Sequence, residues 1–524
     1  MIRNYFIIAV RQFRKHLLFS GIQILCLATG LSFSLLIGVY ILKQQGVNKQ
    51  IRNIDRQFLI KSIWKKQNMG IDITTLGPLA KILMEEYPGL VANYYRFDPV
   101  ANIVSVNGKH FREDISIGDT SFISMYGFPI LYGNPEKPFA NNQSAIISEE
   151  FALKYFGRTN ALGERISIQT PSDGARHDYF ISAVLKKLPF NNISSFAISK
   201  TPYQVFLPMY NNKYFQGGDQ GDNWANIFMV SMIELKPGVK PDDLDAPMAS
   251  ILKKYQPDFV RGNLRTELEP LKDYQLNAND RSVLKMIHSL EWIASFILLL
   301  AVINYVNIHI GISAGRLKEI GLRKVFGGAR TQLVFQFLAE SLVLTGIAFI
   351  ISLVAYELLR PLFEQLLKTE LDSLSHFELK EIGYLILLTL GLGLTAGIYP
   401  AFFLSANPIV ESVRGKTDSG RGALTLRRVL LLVQFSLSAL VFICALVISG
   451  QVKYIFHENM GYQRDQVMII SSIPRIWDSA GVEKMERFKS EIDQIPGISS
   501  ASLLRYSFGK RRQYQCIWRR RPAH

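Results

Sequence analysis

Five long stretches of almost uncharged residues dominate this sequence and limit the folds open to it. Each is long enough to cross about 30 Å of hydrocarbon as an α-helix. The first follows several basic residues, but its apolar region is longer than that of a signal peptide and no small-x-small cleavage site follows it, so we interpret it as an uncleaved anchor. We therefore predict five transmembrane helices, at residues 17–42, 292–314, 335–359, 382–404 and 429–450.

The basic residues of the short connections predict which side of the membrane each connection faces. Lys and Arg are concentrated in residues 3–15, 316–330 and 414–428. Because cytoplasmic loops carry an excess of Lys and Arg, these three segments are predicted to be cytoplasmic. Residues 43–289 then lie outside, and at that length they form a folded domain rather than a loop.

The residues of this outer domain show a mixed pattern. QFLIKSIW and SAIISEE are typical of strands, LAKILMEEY and EEFALKYFG predict helices, and NG and PG dipeptides predict turns. The outer domain is therefore predicted to be α/β. The fold class is an α-helical multi-pass membrane protein with about five transmembrane helices and this large α/β domain.

An internal repeat links the outer domain to the C-terminal part of the chain. DRQFLIKSIW, a helix and a Pro88-Gly89 turn follow the first span, and DQVMIISSIPRIW, a helix and Pro496-Gly497 follow the fifth. Chance similarity between two βαβ units is the alternative. The repeat predicts a second outer domain that begins at Tyr462, with a strand near 467–470 and a helix near 482–492. We expect it to lack its later strands, to be loosely held, and to be disordered after Gly509, in a basic tail.

Composition excludes several classes of function. Net charge is +16, but basic residues beside apolar spans are expected from topology, and no stripe of basic and aromatic residues predicts nucleic-acid binding. The 3 cysteines show no zinc-ligand spacing, so no metal site is predicted. The sequence has no G-x-x-x-x-G-K-[ST] motif. Any ATP that drives this protein is therefore expected on another subunit.

The segment between the second and third spans, GRLKEIGLRKVFGGARTQLVFQFLAESLVL, is both charged and helical in pattern. Its apolar and charged residues alternate as in an amphipathic helix, Glu319 and Arg323 stand in the favourable i,i+4 order, and Gly327-Gly328 ends it. Such a helix can lie in the lipid interface. It can also transmit movement from a soluble partner, since it is continuous with two spans.

KEIGLRKVFGGARTQLVFQFLAESLVL resembles the signature of the MacB/FtsX-type ABC transporter permeases, in which this helix is the coupling helix held by the ATPase. GIYPAFFLSANPIVESVRGK is similar to the exit of the fourth span of that family, and DTSFISMYGFPILYGNPEKP, SAIISEEFALKYFGRTNALGERISI and ISAVLKKLPFNNISSF resemble the MacB-like periplasmic core. The resemblance implies a coupling role for six residues. They are Lys318, Glu319, Gly321, Arg323, Lys324 and Gly327.

Glu340 stands inside the predicted third span, next to Ser341. A carboxylate within an apolar helix is costly and often functional. The alternative is a structural one, in which Glu340 pairs with a basic residue or with a polar side chain such as Asn304 or Asn307. We favour the structural interpretation and treat these three residues as candidate intramembrane polar residues.

The resemblance also predicts how the chain is divided. The expected segments are a cytoplasmic interfacial helix (1–16), the first span (17–42), a MacB-like periplasmic domain (43–289), an FtsX-like transmembrane domain (290–405) with the coupling helix at 315–328, a cytoplasmic loop (406–428), the fifth span (429–450) and an incomplete second periplasmic domain with a basic tail (451–524). Because the family resembles two tandem units, we expect a truncated product.

The resemblance implies a permease in the bacterial inner membrane, without its own ATPase site or cofactor. A separate ABC ATPase binding ATP and Mg²⁺, a second permease protomer, membrane lipid and, for efflux, a periplasmic adaptor and outer-membrane channel are the expected partners. The implied function is efflux of peptides or toxic compounds, or lipoprotein release. The alternatives are a non-transporting mechanotransmission subunit that regulates an envelope partner, and an inactive fragment.

Overall fold

The computed structural model describes residues 11, 13, 17–66, 69–170, 175–187, 190–196, 201–216, 218–314, 322, 325–326, 329–406, 420–457, 467–470, 479–508 and 511–520. The chain divides into two compact units. One, here called the helical unit, comprises Met1–Gln45 and Asn279–Glu458. The other, here called the sheet unit, comprises Gly46–Ala278 and Asn459–His524.

The helices differ in length between the two units, and the longest ones belong to the helical unit. In chain order the α-helices are α1 (Leu17–Gln45), α2 (Leu79–Glu86), α3 (Phe122–Tyr126), α4 (Glu149–Phe156), α5 (Asn212–Gln216), α6 (Asp245–Tyr255), α7 (Tyr274–Ala314), α8 (Arg330–Leu367), α9 (Leu379–Ala406), α10 (Gly420–His457) and α11 (Ser479–Asp493).

The strands that the structure describes all lie in the sheet unit. In chain order they are β1 (Gln57–Trp64), β2 (Val91–Val106), β3 (Lys109–Gly118), β4 (Ile130–Gly133), β5 (Ser144–Ser148), β6 (Arg165–Gln169), β7 (Arg176–Leu185), β8 (Val205–Pro208), β9 (Val230–Leu235), β10 (Leu264–Pro270), β11 (Val467–Ile470), β12 (Ile498–Phe508) and β13 (Arg511–Arg520).

Each of the five predicted apolar spans lies in a helix of the helical unit. Among the described residues, 5 helices are long and apolar enough to cross a membrane, by length and composition. They extend beyond the predicted limits, because hydropathy detects where a helix is apolar and not where it ends. Thus α7 begins at Tyr274, inside the predicted outer domain, and α10 begins at Gly420, inside the predicted cytoplasmic loop.

The first part of the sheet unit contains an open antiparallel sheet of order β10-β1-β9-β2. Two β-α-β connections, β1-α2-β2 and β9-α6-β10, build it. Strand β9 lies between β1 and β2, and strand β1 lies between β9 and β10, as in split β-α-β folds. Leu83 of α2, Met248 of α6 and Ile233 of β9 belong to one buried cluster, so the helices cover one face of the sheet. Tyr95 and Phe122 belong to an aromatic cluster that also contains Leu59 of β1.

Six strands close into a small barrel between β2 and β9 in the chain. Around the ring the pairs are β2-β3, β3-β8, β8-β5, β5-β7, β7-β6 and β6-β2. Each strand contributes a side chain to one buried cluster, which fills the interior, as expected for a barrel this small. These side chains are Val104, Ile115, Ile147, Ile166, Ile181 and Val205.

Strand β2 belongs to both the open sheet and the barrel. It is 16 residues long; its first part pairs with β9, and its second part pairs with β3 and β6. The turn from β2 to β3 is the predicted Asn-Gly turn, with φ of 48° at Asn107 and 78° at Gly108. Two successive residues with positive φ are typical of a type I′ hairpin.

Arg96 ties β2 to three loops. Its guanidinium donates to both carboxylate oxygens of Asp119, at 3.0 Å each, and to one of Asp222 at 3.1 Å. It also donates to the carbonyl oxygens of Gly77, at 3.1 Å, and Gly221, at 2.7 Å. The side chain is only 4% exposed. This buried cation is therefore fully engaged by groups that are far apart in the chain.

The predicted patterns for local elements are confirmed: QFLIKSIW is β1, SAIIS is β5, and the two predicted helices are α2 and α4. The repeat is also confirmed in its elements, since β11, α11 and β12 follow one another as predicted. The prediction of a disordered tail is wrong. Residues Arg511–Arg520 form β13, which lies antiparallel between β11 and β12 and supplies a later strand that the sequence was expected to lack.

Candidate functional site: a polar layer in the helical unit

The predicted coupling residues lie outside the described residues. They are Lys318, Glu319, Gly321, Arg323, Lys324 and Gly327. The predicted interfacial helix at residues 1–16 also lies outside them, except for Arg11 and Phe13. The helices that border the coupling segment are described. They are α7, which ends at Ala314, and α8, which begins at Arg330.

A hydrogen bond between buried polar side chains joins α7 to α8. The hydroxyl of Tyr305 lies 2.9 Å from the hydroxyl oxygen of Ser341, and both side chains are fully buried. Gln23 of α1 donates from Nε2 to the carbonyl oxygen of Tyr305 at 3.4 Å. Three helices therefore meet at Tyr305, although the sequence predicted no role for this residue or for Gln23.

Glu340 lies beside this bond. It is 8% exposed and close enough to Tyr305 to interact with it electrostatically. His309, one helical turn from Tyr305, stacks on the Tyr305 ring at 5.6 Å and 13°, and the ring of Phe337 meets it edge-on at 6.1 Å. Two ionisable side chains are thus buried in the same polar layer.

The two asparagines predicted with Glu340 make other bonds. Asn304 Nδ2 donates to Cys26 Sγ of α1 at 2.8 Å, and Asn307 Nδ2 donates to Gln434 Oε1 of α10 at 3.2 Å. Neither bond involves Glu340. Both bonds connect α7 to another apolar helix, which is the structural role that polar side chains often have between membrane helices.

Small residues bring the helices close at the same level. A Cβ atom added to Gly397 of α9 would lie 2.7 Å from Ser341 Oγ, and one added to Gly393 would lie 2.9 Å from Leu342 of α8. A Cβ atom added to Gly30 of α1 would lie 2.9 Å from the Cβ atom of Ala301 of α7. These distances leave no room for a larger side chain, which is typical of small residues where membrane helices pack closely.

Polar side chains in an apolar bundle are costly unless they are paired, so the layer favours one arrangement of α1, α7, α8 and α9. Only Glu340 and the asparagines were visible as candidates in the sequence. Tyr305, His309 and Gln23 were missed, because a single such residue changes the hydropathy of an apolar stretch little, and which face it occupies depends on how the helices pack.

Two family models match this chain, over two separate ranges of residues. The MacB-like periplasmic core domain matches residues 20–251. The FtsX-like permease C-terminal domain matches residues 292–409. The chain is a MacB/FtsX-type permease. The apolar helices and the α/β domain of this permease are those of a membrane protein with a MacB-like periplasmic domain.

Several solved structures are similar to part of the permease. A domain of a putative permease protein from Porphyromonas gingivalis is 22% identical. The match covers 42% of this chain and 92% of the chain of that structure, with a TM-score of 0.35. The periplasmic region of MacB from Actinobacillus actinomycetemcomitans is 12% identical, with 45% and 95% covered and a TM-score of 0.31. The extracellular domain of the noncanonical ABC-type transporter YknZ from Gram-positive bacteria is 11% identical, with 38% and 93% covered and a TM-score of 0.27. No curated protein matches the chain.

Proposed function

We propose that this chain is the multi-pass permease subunit of a MacB-like ABC transporter in a bacterial inner membrane. A separate ATPase binds ATP and Mg²⁺ and moves the coupling segment at residues 315–328, and the periplasmic domain moves in response. Its task is efflux of peptides or toxic compounds, or lipoprotein release. A second permease protomer completes the membrane part, and efflux further requires a periplasmic adaptor and an outer-membrane channel.

The Tyr305–Ser341 bond is the observation that best supports this function. It joins the helix before the coupling segment to the helix after it. The two oxygen atoms are 2.9 Å apart, and both side chains are buried. Two helices linked in this way move together when the segment between them is displaced. The charges of Arg323 and Lys324 supply the contact, since basic residues in a segment with an amphipathic sequence pattern suit an acidic surface of the ATPase.

Charge reversal at the coupling segment tests the proposal. The tagged chain is captured from solubilised membranes, and the ATP hydrolysis captured with it is measured. We expect Arg323→Glu with Lys324→Glu to reduce that hydrolysis at least tenfold. The matched control is Lys65→Glu with Lys66→Glu, which makes the same charge change at two adjacent exposed lysines of the sheet unit and leaves capture unchanged.

Two outcomes would contradict the proposal. If no ATP hydrolysis is captured with the unaltered chain, it is not a transporter subunit of this kind. If the double variant captures as much as the unaltered chain, residues 315–328 lie in the lipid interface instead. A mechanotransmission subunit would pass this test, and it would be recognised by ATPase cycling without export of any peptide or lipoprotein.

A further inference from the structure

The first part of the sheet unit has two connections to the rest of the chain, at Gly46 after α1 and at Ala278 within α7. Asn48 lies just inside the first connection, and Leu271 and Gln275 lie just inside the second. Asn48 Nδ2 donates to the carbonyl oxygen of Leu271 at 2.7 Å. A side chain of one connection therefore bonds directly to the backbone of the other.

Asn192, from the loop between β7 and β8, completes the link between these connections. Asn48 and Asn192 form a reciprocal pair: Asn48 Nδ2 donates to Asn192 Oδ1 at 2.9 Å, and the backbone N–H of Asn192 donates to Asn48 Oδ1 at 2.8 Å. Asn192 Nδ2 donates to Gln275 Oε1 at 2.9 Å. Each connection is thus bonded both to the other and to a third segment.

Both asparagines are buried, so water does not satisfy their amide groups. Asn48 is 2% exposed and Asn192 is 3% exposed, so their amides depend on protein partners. Asn48 also has a φ of 69°, a left-handed conformation that asparagine tolerates better than most residues. The hydrogen bonds of its side-chain amide hold the Asn48 backbone in this conformation.

Ile51, Leu271 and Tyr274 share a buried apolar cluster, and the other polar ties at the same place are weaker or are already part of the sheet. Lys272 and Asp55 form an ion pair at 2.7 Å, but both side chains are well exposed, and such pairs contribute little. The backbone N–H of Leu271 donates to the carbonyl oxygen of Gln57 at 2.9 Å, which anchors Leu271 to β1. Through Leu271, Asn48 is therefore attached to the central sheet.

We propose that Asn48, Asn192 and Gln275 are positioning residues that clamp the two connections of the periplasmic domain together, so that displacement of either one moves the other. The existence of the clamp does not depend on the proposed function. Its consequence does: a cycle that moves α1 or α7 is passed to the whole domain instead of bending one connection.

Hydrogen exchange of the full chain in detergent micelles tests the clamp without an ATPase, so failure of the proposed function does not affect the result. Asn48→Gly keeps the left-handed backbone and removes all three amide bonds. We expect exchange to become at least tenfold faster in peptides covering 46–52 and also in those covering 271–278. The control is Asn53→Gly, since Asn53 has a φ of 53° and donates to Glu234 at 2.7 Å, away from the second connection. Exchange at 271–278 should not change in this control.

Faster exchange at 46–52 alone would overturn the clamp, as would an equal response of 271–278 in the two variants. If Asn48→Gly unfolds the whole domain, Gln275→Leu decides the matter. Gln275 is linked to Asn48 through Asn192. Faster exchange at 46–52 in Gln275→Leu supports the clamp, and unchanged exchange there overturns it.

Discussion

Strands β9 and β13 occupy equivalent places in two sheets, because each lies antiparallel between the two parallel strands of a β-α-β unit. Their surroundings differ. All six residues of β9 are buried, and both faces of its sheet are covered. In the second β-α-β unit, formed by β11, α11 and β12, the described buried cluster consists of Ile492, Ile498 and Ala501. The same local connection therefore gives a well-covered sheet in one region and a small one in the other.

The comparison teaches that a strand-helix-turn-strand pattern specifies pairing but does not by itself provide a core. In the first region, residues distant in the chain from β1 and β2 complete the core: Met248 and Ile251 of α6 on one face, and Phe196 and Phe206 of the aromatic cluster on the other. In the second region the described side chains of α11 are mostly exposed. A sheet of three strands is marginally stable on its own.

The largest effect should come from removing a long-range tie of the first region. Arg96→Ala leaves the Asp119 carboxylate without its buried partner, and breaking such a pair costs about 3–5 kcal/mol. We expect that loss in the free energy of unfolding of the periplasmic domain, measured by urea-dependent proteolysis of the full chain. Arg158→Ala removes an ion pair whose arginine is 63% exposed, and it should cost less than about 1 kcal/mol. Equal effects would mean that the first region does not depend on its distant contacts.

The next effect compares the two regions directly. In limited proteolysis of the unaltered chain, we expect cleavage after residue 471 to be at least tenfold faster than cleavage within 57–270. The reason is that local opening costs less free energy in a sheet of 3 strands than in one of 10. Mass spectrometry of the first fragments measures this ratio. Similar rates in the two regions would show that the second sheet is as firmly held as the first, in spite of its smaller cluster.

The smallest effect uses the two Pro-Gly turns. Gly497 has a φ of 96°, whereas Gly89 has no positive φ, and neither has a heavy atom within 4 Å of an added Cβ. Gly497→Ala should therefore cost about 1 kcal/mol through backbone strain, while Gly89→Ala should be neutral or slightly stabilising. Hydrogen exchange in 479–508 and in 79–97 reports the two effects. A neutral Gly497→Ala would show that the repeated turns are alike.

Elements that depend on neighbouring residues could be predicted from the sequence, and elements that depend on distant ones could not. QFLIKSIW alone carries the pattern of β1, and Asn107-Gly108 alone specifies its turn. Closure of the barrel depends on β6 pairing with both β2 and β7, which no local pattern indicates. Strand β13 was missed for the same reason, since a strongly basic segment predicts a strand only when its partners β11 and β12 are known.

The candidate site was predicted only where a carboxylate or an amide made a residue conspicuous in an apolar stretch. Glu340 stands out in an apolar helix, but its neighbours Tyr305 and His309 each change the hydropathy of their apolar stretch little. Their meeting with Ser341 and Phe337 depends on the rotation of α7 against α8. The roles of Lys318, Glu319, Gly321, Arg323, Lys324 and Gly327 stay predictions from the resemblance.

Strand β2 carries a cost during synthesis, because its partners are made at different times. Its second part can pair with β3 as soon as the hairpin emerges, but its first part must wait for β9, and residues 107–229 lie between them. At about 5–20 residues per second, the delay is on the order of ten seconds. During this interval one edge of β2 is open to wrong partners, including the same strand of another nascent chain. Strand β12, whose partner β13 comes next in the chain, is exposed to this risk for a much shorter time.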